Sequence, residues 1–349
     1  MLSESVSVLG GGSFGTVIAN IIAENGFNVH FWMRNEAAVK ELNKTHINSR
    51  YLPGYKLNHA VCASSDMGVM ADSRIVFVAV PSAYFRSVVR ELYKYCPADA
   101  MLISLTKGIE AESFKLMSQV LQEEAPQARV GVLSGPNLAR EIASRNLTGT
   151  VVASKHAAVR DAVQTVLKSE YFRVYTNNDM FGVELGGSLK NIYAIIAGLA
   201  AAKGMGHNTL SMLITRSLTE MARFGRRLGA DPMTFLGLSG VGDLIVTCSS
   251  PLSRNYRVGY AIGNGQSLED AVAELGQVAE GINTLKQVKE KADKLGVYMP
   301  LVSGLYDIVY KGKQISGIIA SLMLGEQALD VEYEAKQSKR LNSEEQDHV

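Results

Sequence analysis

Three glycines near the N-terminus have the spacing of a phosphate-binding turn. They are Gly10, Gly12 and Gly15, and they lie between the alternating run 5–9 and a segment, 16–22, with apolar residues at helical spacing. Between a strand and a helix, the first glycine permits a tight turn, the second lets a pyrophosphate approach the backbone, and the third allows close helix–strand packing. The helix N-terminus supplies unpaired N–H donors. This context favours a dinucleotide-binding turn over a turn that is merely rich in glycine.

Arg34 follows the second predicted strand, residues 28–33, and bears on the choice of cofactor. Many dinucleotide-binding domains have an Asp or Glu here, which accepts hydrogen bonds from the ribose hydroxyls. A guanidinium can instead pair with a 2′-phosphate through several donors and stack on adenine. Unless Arg34 is only a solvated surface residue, the sequence predicts that NADP(H) is preferred and that NAD(H) remains possible.

Lys107 and Asn137 each follow a predicted buried strand, over residues 100–106 and 129–133. In open α/β sheets, ligands bind beyond the carboxyl ends of the strands, so we expect the Lys107 ammonium to face a ligand. Asn137 ends a Ser-Gly-Pro-Asn turn, and it either contacts a ligand or caps the helix that follows.

Lys190 stands within a predicted helical segment that continues into an apolar run. Gly186 and Gly187 precede it by four and three residues, on the same helix face, so we expect an empty groove beside the ammonium that holds a small substrate. Apolar surroundings would lower the pKa of the lysine by desolvation, which suits proton transfer near neutral pH. The alternative is a lysine at a helix end whose ammonium extends into solvent.

A polar group of residues follows further along the chain. Asp243 lies in a Gly-Val-Gly-Asp-Leu segment, and Ser253, Arg254 and Asn255 follow ten residues later, in surroundings rich in Gly, Pro and Ser. An acid, a hydroxyl, a guanidinium and an amide together suit a polyol phosphate.

The character of the chain changes near residue 179, where strand-like runs give way to long helical patterns. The strand over residues 74–80 is almost entirely apolar, which is typical of a parallel sheet covered on both faces. We therefore predict an α/β, Rossmann-like domain with a mostly parallel, doubly wound sheet over residues 1–178. An all-α substrate domain follows over residues 179–335, and residues 336–349 form a polar, frayed tail.

Composition excludes several classes of protein. The chain has 349 residues and a net charge of +1, so it offers no field for nucleic acid. Cys62, Cys96 and Cys248 are too few and too dispersed for a disulfide framework or a zinc site, and no histidine has metal-ligand spacing. The longest apolar run, 192–202, is too short to span a bilayer. We expect a cytoplasmic protein without a metal and without membrane insertion.

Taken in order, the motifs resemble those of the bacterial-type NAD(P)-dependent glycerol-3-phosphate dehydrogenases, and the resemblance runs from Val6 to about Leu324. This family reduces dihydroxyacetone phosphate to sn-glycerol 3-phosphate for phospholipid synthesis, and the resemblance implies the same reaction here. We also expect a homodimer. The matching segments are Gly10–Thr16, Tyr51–Pro53, Thr106–Gly108, Ser134–Pro136, Glu184–Leu185 with Lys190–Asn191, Gly240–Leu244, Ser253–Asn255 and Val278–Gly281.

The resemblance also implies roles for individual residues. Lys190 would transfer the proton. Cofactor contacts would come from Ser13, Phe14, Arg34, Lys107, Ala139, Arg254, Val278 and Glu280. Substrate contacts would come from Lys107, Gly135, Asn137, Asp243, Ser253, Arg254 and Asn255. The chain departs from the family pattern at Asn137, where many relatives have Ser or Thr, and over residues 145–148, which lack a proline often found there.

Two other functions remain open from the sequence. A 3-hydroxy-acid dehydrogenase also joins a Rossmann domain to a helical domain with a catalytic lysine, but it usually has an Asn four residues later, where this chain has Ala194. A non-catalytic NADP-binding sensor would have no need of Lys107, Lys190 and Asp243 around one groove.

Overall fold

The computed structural model describes residues 5–275 and 280–324, which form one large sheet with covering helices followed by a group of packed helices. The strands are β1 (Ser5–Leu9), β2 (Asn28–Trp32), β3 (Val61–Ser64), β4 (Ile75–Val78), β5 (Met101–Ser104), β6 (Arg129–Ser134), β7 (Thr148–Ala153) and β8 (Phe172–Asn177). Their order across the sheet is β3-β2-β1-β4-β5-β6-β7-β8.

The helices surround this sheet and then continue the chain. They are α1 (Ser13–Glu24), α2 (Glu36–Thr45), α3 (Ser82–Leu92), α4 (Met117–Glu124), α5 (Ala139–Ala143), α6 (Ala157–Leu167), α7 (Met180–Ala202), α8 (His207–Leu228), α9 (Asp243–Ser249), α10 (Arg254–Gly263), α11 (Leu268–Leu275), α12 (Glu280–Leu295), α13 (Pro300–Lys311) and α14 (Ile315–Met323). Two 3₁₀ helices, Met67–Met70 and Pro232–Leu236, and a π-helical turn, Leu238–Gly242, complete the described elements.

The sheet is parallel except for the β6–β7 pair, which confirms the predicted mostly parallel α/β architecture. Strand order reverses between β1 and β4, and a ligand in such a sheet binds at this switch point, beyond the carboxyl ends of the strands. The glycine turn after β1 therefore lies where a dinucleotide is expected. The central strands β4 and β5 are wholly buried, as their apolar sequences predicted.

The long helix α7 is the centre of the second hydrophobic core. It begins after Asp179, whose Oδ1 accepts a hydrogen bond from the backbone N–H of Gly182 at 2.9 Å. The predicted apolar run 192–202 is only its second half. By length and composition the 23-residue helix could cross a membrane, yet 78% of its most apolar window is buried inside the fold, so it serves as a core helix.

Glycines bring α10 into close contact with α7. A Cβ on Gly198 would lie 2.0 Å from the carbonyl oxygen of Tyr256, and one on Gly259 would lie 1.9 Å from the carbonyl oxygen of Ile195. The two backbones therefore nearly touch, and the start of α10 is held beside α7. The predicted division at 178/179 falls in the short connection between β8 and α7. The predicted tail, 336–349, lies outside the described residues.

Candidate active site

The glycine turn after β1 leaves room for a ligand at one glycine and for none at the other two. Gly10 has φ +115°, and a Cβ there would lie 2.5 Å from the carbonyl oxygen of Ala79. A Cβ on Gly15 would lie 2.2 Å from the carbonyl oxygen of Gly10, whereas nothing lies within 4 Å of one on Gly12. Gly12 is also the N-cap of α1 and offers no capping side chain, so the first N–H groups of the helix remain available. This cradle fits a pyrophosphate.

A loop between α2 and β3 holds this turn from outside. The buried amide of Asn48 donates to the carbonyl oxygen of Gly11 at 2.9 Å and to Thr16 Oγ1 at 2.8 Å. Ser13 Oγ donates to the carbonyl oxygen of Tyr51 at 2.7 Å. Sequence reasoning missed Asn48, because an amide that binds a backbone carbonyl leaves no motif.

The predicted cofactor residues Phe14 and Ala139 both pack against the hydrophobic core that includes residues of β1, β2 and α1. Phe14 belongs to the first turn of α1 and is half-buried, and Ala139 is the first residue of α5. Val278, the third apolar residue of this set, lies outside the described residues.

Arg34 is exposed just beyond the end of β2. Its Cζ lies 5.7 Å from the ring centroid of Tyr84, the third residue of α3, so that a planar cation and an aromatic ring stand together at this edge. Asn35 Oδ1 accepts from the backbone N–H of Ala38 at 2.9 Å and caps α2, and Glu36 is the first residue of that helix. No carboxylate therefore precedes α2 where Asp or Glu would bind a ribose.

Lys190, Asp243 and Lys107 meet between the sheet and the helices. Lys190 Nζ donates to Asp243 Oδ1 and, at 2.7 Å, to Thr247 Oγ1. Lys107 Nζ donates to Asp243 Oδ2 at 2.6 Å and to the carbonyl oxygen of Gly135 at 3.1 Å. Asp243 is fully buried and Lys190 is 6% exposed. Two ammonium groups thus share one carboxylate, and the cluster carries a net positive charge when both are protonated.

Burial controls the acidity of Lys190. Desolvation lowers the pKa of its ammonium to about 7, the proximity of Asp243 raises it in opposition, and the nearby Lys107 lowers it further. A lysine with this pKa can exchange a proton near neutral pH. Lys190 lies in the middle of α7, so the alternative of a lysine at a helix end is wrong.

The predicted empty groove beside Lys190 is wrong. A Cβ on Gly186 would lie 2.9 Å from the carbonyl oxygen of Ser239, and one on Gly187 would lie 2.5 Å from Ser134 Oγ. Other elements therefore fill the space that the two glycines leave on α7. The two glycines therefore serve close packing.

A π-helical turn directs Asp243 inward. Residues 238–242 form this turn immediately before α9, and a Cβ on Gly240 would lie 2.1 Å from the carbonyl oxygen of Phe235. A single π-helical turn changes the direction of side chains at the start of the next helix, and such turns are frequent at functional sites. Asp243 is the first residue of α9 and Thr247 follows one turn later, so both face Lys190.

Asn137 is engaged by β7. Its Nδ2 donates to the carbonyl oxygen of Gly149 at 3.1 Å, and its Oδ1 accepts from Thr150 Oγ1 at 2.8 Å. The N-cap of α5 is Leu138, so the capping alternative for Asn137 is wrong. Gly135 lies against the same strand, since a Cβ there would come within 3.0 Å of Thr150 Cα. A substrate contact from Asn137 stays a prediction.

The N-terminus of α10 lies close to the residue after Lys190, since a Cβ on Gly281 would lie 2.7 Å from both the carbonyl oxygen of Asn191 and Asn255 Oδ1. Ser253 is the N-cap of α10, and Ser253 Oγ accepts from the backbone N–H of Tyr256 at 3.3 Å. Arg254 is exposed, yet desolvation by the surrounding protein lowers the pKa of its guanidinium, and the Glu280 carboxylate opposes this effect. Asn255 Oδ1 accepts from the backbone N–H of Gly281 at 3.0 Å. A helix N-terminus beside a guanidinium suits a phosphate.

Glu280 joins the two parts of the molecule beside this helix end. Its Oε2 accepts from Ser82 Oγ at 2.8 Å, at the start of α3, and burial raises the pKa of its carboxyl group. A Cβ on Gly108 would lie 2.7 Å from Ser82 Cβ, so the residue after Lys107 packs tightly against this link. Within residues 5–275 and 280–324, no group of three or more His, Cys, Asp or Glu side chains is arranged to hold a metal ion.

Comparison of the chain with known proteins identifies the family that it resembles. Residues 5–160 match the model of the N-terminus of NAD-dependent glycerol-3-phosphate dehydrogenase, and residues 179–320 match that of its C-terminus. Glycerol-3-phosphate dehydrogenases [NAD(P)+] of Pseudomonas putida strain F1 and Teredinibacter turnerae are 58% and 55% identical over 331 residues, which cover 95% of this chain and 97% of each relative.

A solved structure agrees. The glycerol-3-phosphate dehydrogenase of Coxiella burnetii is 34% identical, superposes with a TM-score of 0.88, and matches over 92% of this chain and 99% of its own. These matches span both the sheet and the helices, and they favour this family over the hydroxy-acid dehydrogenases. The chain therefore belongs to the NAD-dependent glycerol-3-phosphate dehydrogenase family.

Proposed function

We propose that this chain catalyses the reversible, NAD(P)H-dependent reduction of dihydroxyacetone phosphate to sn-glycerol 3-phosphate, the backbone for phospholipid synthesis. The activity follows from the family, and the meeting of Lys190, Asp243 and Lys107 is the observation that supports our assignment of the chemistry to these residues. The chain also has two elements suited to phosphates, the glycine turn after β1 and the N-terminus of α10.

Lys190 is the proposed general acid and base. When bound, the nicotinamide supplies the hydride that the carbonyl carbon of the substrate accepts. Negative charge then develops on the carbonyl oxygen, and Lys190 stabilises that charge and donates its proton. With a pKa of about 7, the same group accepts the proton in the reverse direction.

Lys107 and Asp243 prepare the site for this charge. Each ammonium has three donors, and Lys190 uses two on Asp243 and Thr247, while Lys107 uses two on Asp243 and Gly135. Within residues 5–275 and 280–324, one donor of each ammonium has no protein partner, and it is proposed to bind the substrate oxygens. Since a single carboxylate serves two cations, the site keeps a positive charge for the oxyanion.

The phosphate of the substrate is proposed to bind at the start of α10. The N–H groups there and the guanidinium of Arg254 supply charge-assisted hydrogen bonds, and Asn255 Nδ2 supplies a neutral one. Binding energy from this remote group orients the carbonyl toward Lys190.

The cofactor preference is proposed from Arg34. A charged hydrogen bond contributes about 1.5–3 kcal/mol, so pairing with a 2′-phosphate favours NADPH over NADH by roughly 10–150-fold in kcat/KM. Arg34→Ala is expected to remove most of this preference, and added salt to reduce it, because the arginine is exposed. A wild-type enzyme that uses NADPH and NADH equally at low ionic strength contradicts the role of Arg34 but not the proposed reaction.

A homodimer is proposed from apolar surface on the helical part. Met212 on α8 is 42% exposed, and Met323 and Leu324 at the end of α14 are 64% and 85% exposed. Such surface commonly marks a contact between copies. Light scattering after gel filtration at several concentrations tests this, and a monomer throughout contradicts it.

We also propose that the protein resides in the cytoplasm, because its three cysteines are unpaired, as is usual in a reducing compartment.

The activity is tested by following NADPH absorbance with dihydroxyacetone phosphate as the only added substrate. The control is Lys190→Ala, which removes the proton donor. Rapid NADPH oxidation by the wild type but not by Lys190→Ala supports the proposal. Oxidation with 3-oxo acids but not with dihydroxyacetone phosphate would support the hydroxy-acid dehydrogenase instead.

A further inference from the structure

The loop that carries Lys107 belongs to both halves of the molecule. This Lys107 loop, residues 105–116, begins at the carboxyl end of the central strand β5 and leads into α4. A bridge between Ile109 and Leu116 closes it, and both residues are buried in the core around α7, together with Leu185 and Leu189. The place of the Lys107 ammonium therefore depends on how this loop sits against α7.

Glu184 of α7 holds the end of this loop. Its Oε1 accepts from the backbone N–H of Ser118 at 3.0 Å, and its Oε2 accepts from that N–H at 3.2 Å and from Ser118 Oγ. The N-cap residue of α4 is Leu116, whose side chain has no acceptor. Glu184 thus satisfies the free N–H groups of a helix that belongs to the other half of the chain.

The donors around Glu184 are neutral rather than cationic. They are the backbone of Met117 and Ser118 and one hydroxyl, and Glu184 is only 4% exposed. Burial raises the pKa of its carboxyl group to about 7. A well-packed apolar residue would be easier to bury. The geometry therefore favours a role in fixing position over a role in adding stability.

We propose that Glu184 is a positioning residue: by capping α4 it fixes the Lys107 loop, and so sets the place of the Lys107 ammonium against Asp243 and Lys190. Lys190 lies six residues further along α7, so one rigid helix carries both the proton donor and this clamp. Ser188 strengthens the same link, since its Oγ donates to the carbonyl oxygen of Gly108 at 3.4 Å. The inference rests on the proposed function.

The test is a double-mutant cycle with a matched control. Glu184→Gln keeps the size of the side chain but turns an amide toward N–H donors. We expect kcat to fall at least about tenfold while the Kd for NADPH changes less than about twofold, because a displacement near 1 Å can slow a reaction by about 10². In a Lys107→Met background, the same substitution should lower kcat by less than about twofold, since its effect acts through Lys107.

Glu220→Gln is the control, because Glu220 is also a buried acid that caps a helix, α13, by accepting from the backbone N–H of Leu301 at 2.6 Å. Glu220→Gln should lower the free energy of unfolding and leave kcat unchanged. If Glu184→Gln does not fold, Ser118→Ala removes one partner from the α4 side and replaces it in the cycle.

Three outcomes overturn the proposal: a folded variant with wild-type kcat, an equal loss in the Lys107→Met background, or an equal loss in Glu220→Gln. A wild-type enzyme that does not reduce dihydroxyacetone phosphate overturns the proposed function instead, so the two failures are distinguishable.

Discussion

Glu220 is a buried acid whose replacement should change how the stability of the protein depends on pH. It is 2% exposed, and its carboxyl group accepts from the backbone N–H groups of Leu301 and Val302 and from the hydroxyl of Tyr193. Burial raises its pKa from 4.5 to about 7, although these hydrogen bonds and the charge of Arg223 act in the opposite direction.

The sign and size of the effect follow from this raised pKa. Because the folded protein binds the proton more tightly than the unfolded chain, Glu220 contributes stability that is fully present below pH 4.5 and is lost as pH rises through about 7. A tenfold difference in proton affinity corresponds to about 1.4 kcal/mol, so roughly 2–3 kcal/mol should disappear between pH 5 and pH 8. Glu220→Gln has no titrating group at this position and should lack this loss.

The assay is urea unfolding of wild type and Glu220→Gln at pH 5 and pH 8 without cofactor. The quantity compared is the difference in unfolding free energy between the two proteins at each pH. Burial also raises the pKa of Glu184, but Glu184 titrates in both proteins and its effect cancels. The wild-type advantage should shrink by roughly 2–3 kcal/mol at pH 8. The same difference at both pH values would refute the reasoning that burial sets this pKa.

Further predictions concern the two phosphate sites. Gly10→Ala should destabilise the fold by several kcal/mol in thermal or urea unfolding, because φ is +115° and the new Cβ would lie 2.5 Å from a carbonyl oxygen. Gly12→Ala should keep the stability of wild type and weaken NADPH binding in a fluorescence titration, because nothing of the protein lies within 4 Å of the new Cβ; unchanged affinity would mean that the pyrophosphate does not approach here. Arg254→Ala should lower kcat/KM for dihydroxyacetone phosphate roughly tenfold or more and that for unphosphorylated dihydroxyacetone much less, whereas equal losses would assign Arg254 to structure or to the cofactor.

The sheet was partly predictable from the sequence. The strands β4 and β5 were predicted because a strand that is buried on both faces is a nearly continuous apolar run. The glycine turn after β1 was predicted from the spacing of its three glycines. The strands β7 and β8 were not predicted. β7 begins with the polar run Thr-Gly-Thr, and exposed residues alternate with buried ones in β8. β7 also pairs antiparallel with β6, and this pairing is set by tertiary packing rather than by local sequence.

The helix α7 shows how packing overrides local preference. Gly186 and Gly187 are poor helix formers, yet they lie within a continuous 23-residue helix. In the fold they let Ser134 and Ser239 approach α7, so their apparent groove is filled. The sequence of a helix cannot reveal which distant residues will fill the space beside it.

The site was predictable where residue type and place coincide. Lys107 at a strand end, and Lys190 and Asp243 in their motifs, are brought together by the fold. Thr247 was missed, although its position one turn after Asp243 on the same helix face is a usable signal. Asn48 has no recognisable signal in the sequence, because its partners are a backbone carbonyl and a threonine hydroxyl.

The central claim is that Lys190 transfers the proton, and turnover of Lys190→Ala tests it most directly. The measurement is kcat with saturating NADPH and dihydroxyacetone phosphate, beside the Kd for NADPH of the same variant. Loss of a general acid should lower kcat by about 10²–10⁴-fold and leave cofactor affinity nearly unchanged. A folded variant that keeps more than about half of wild-type turnover would contradict the account, because turnover would then not depend on proton transfer by Lys190.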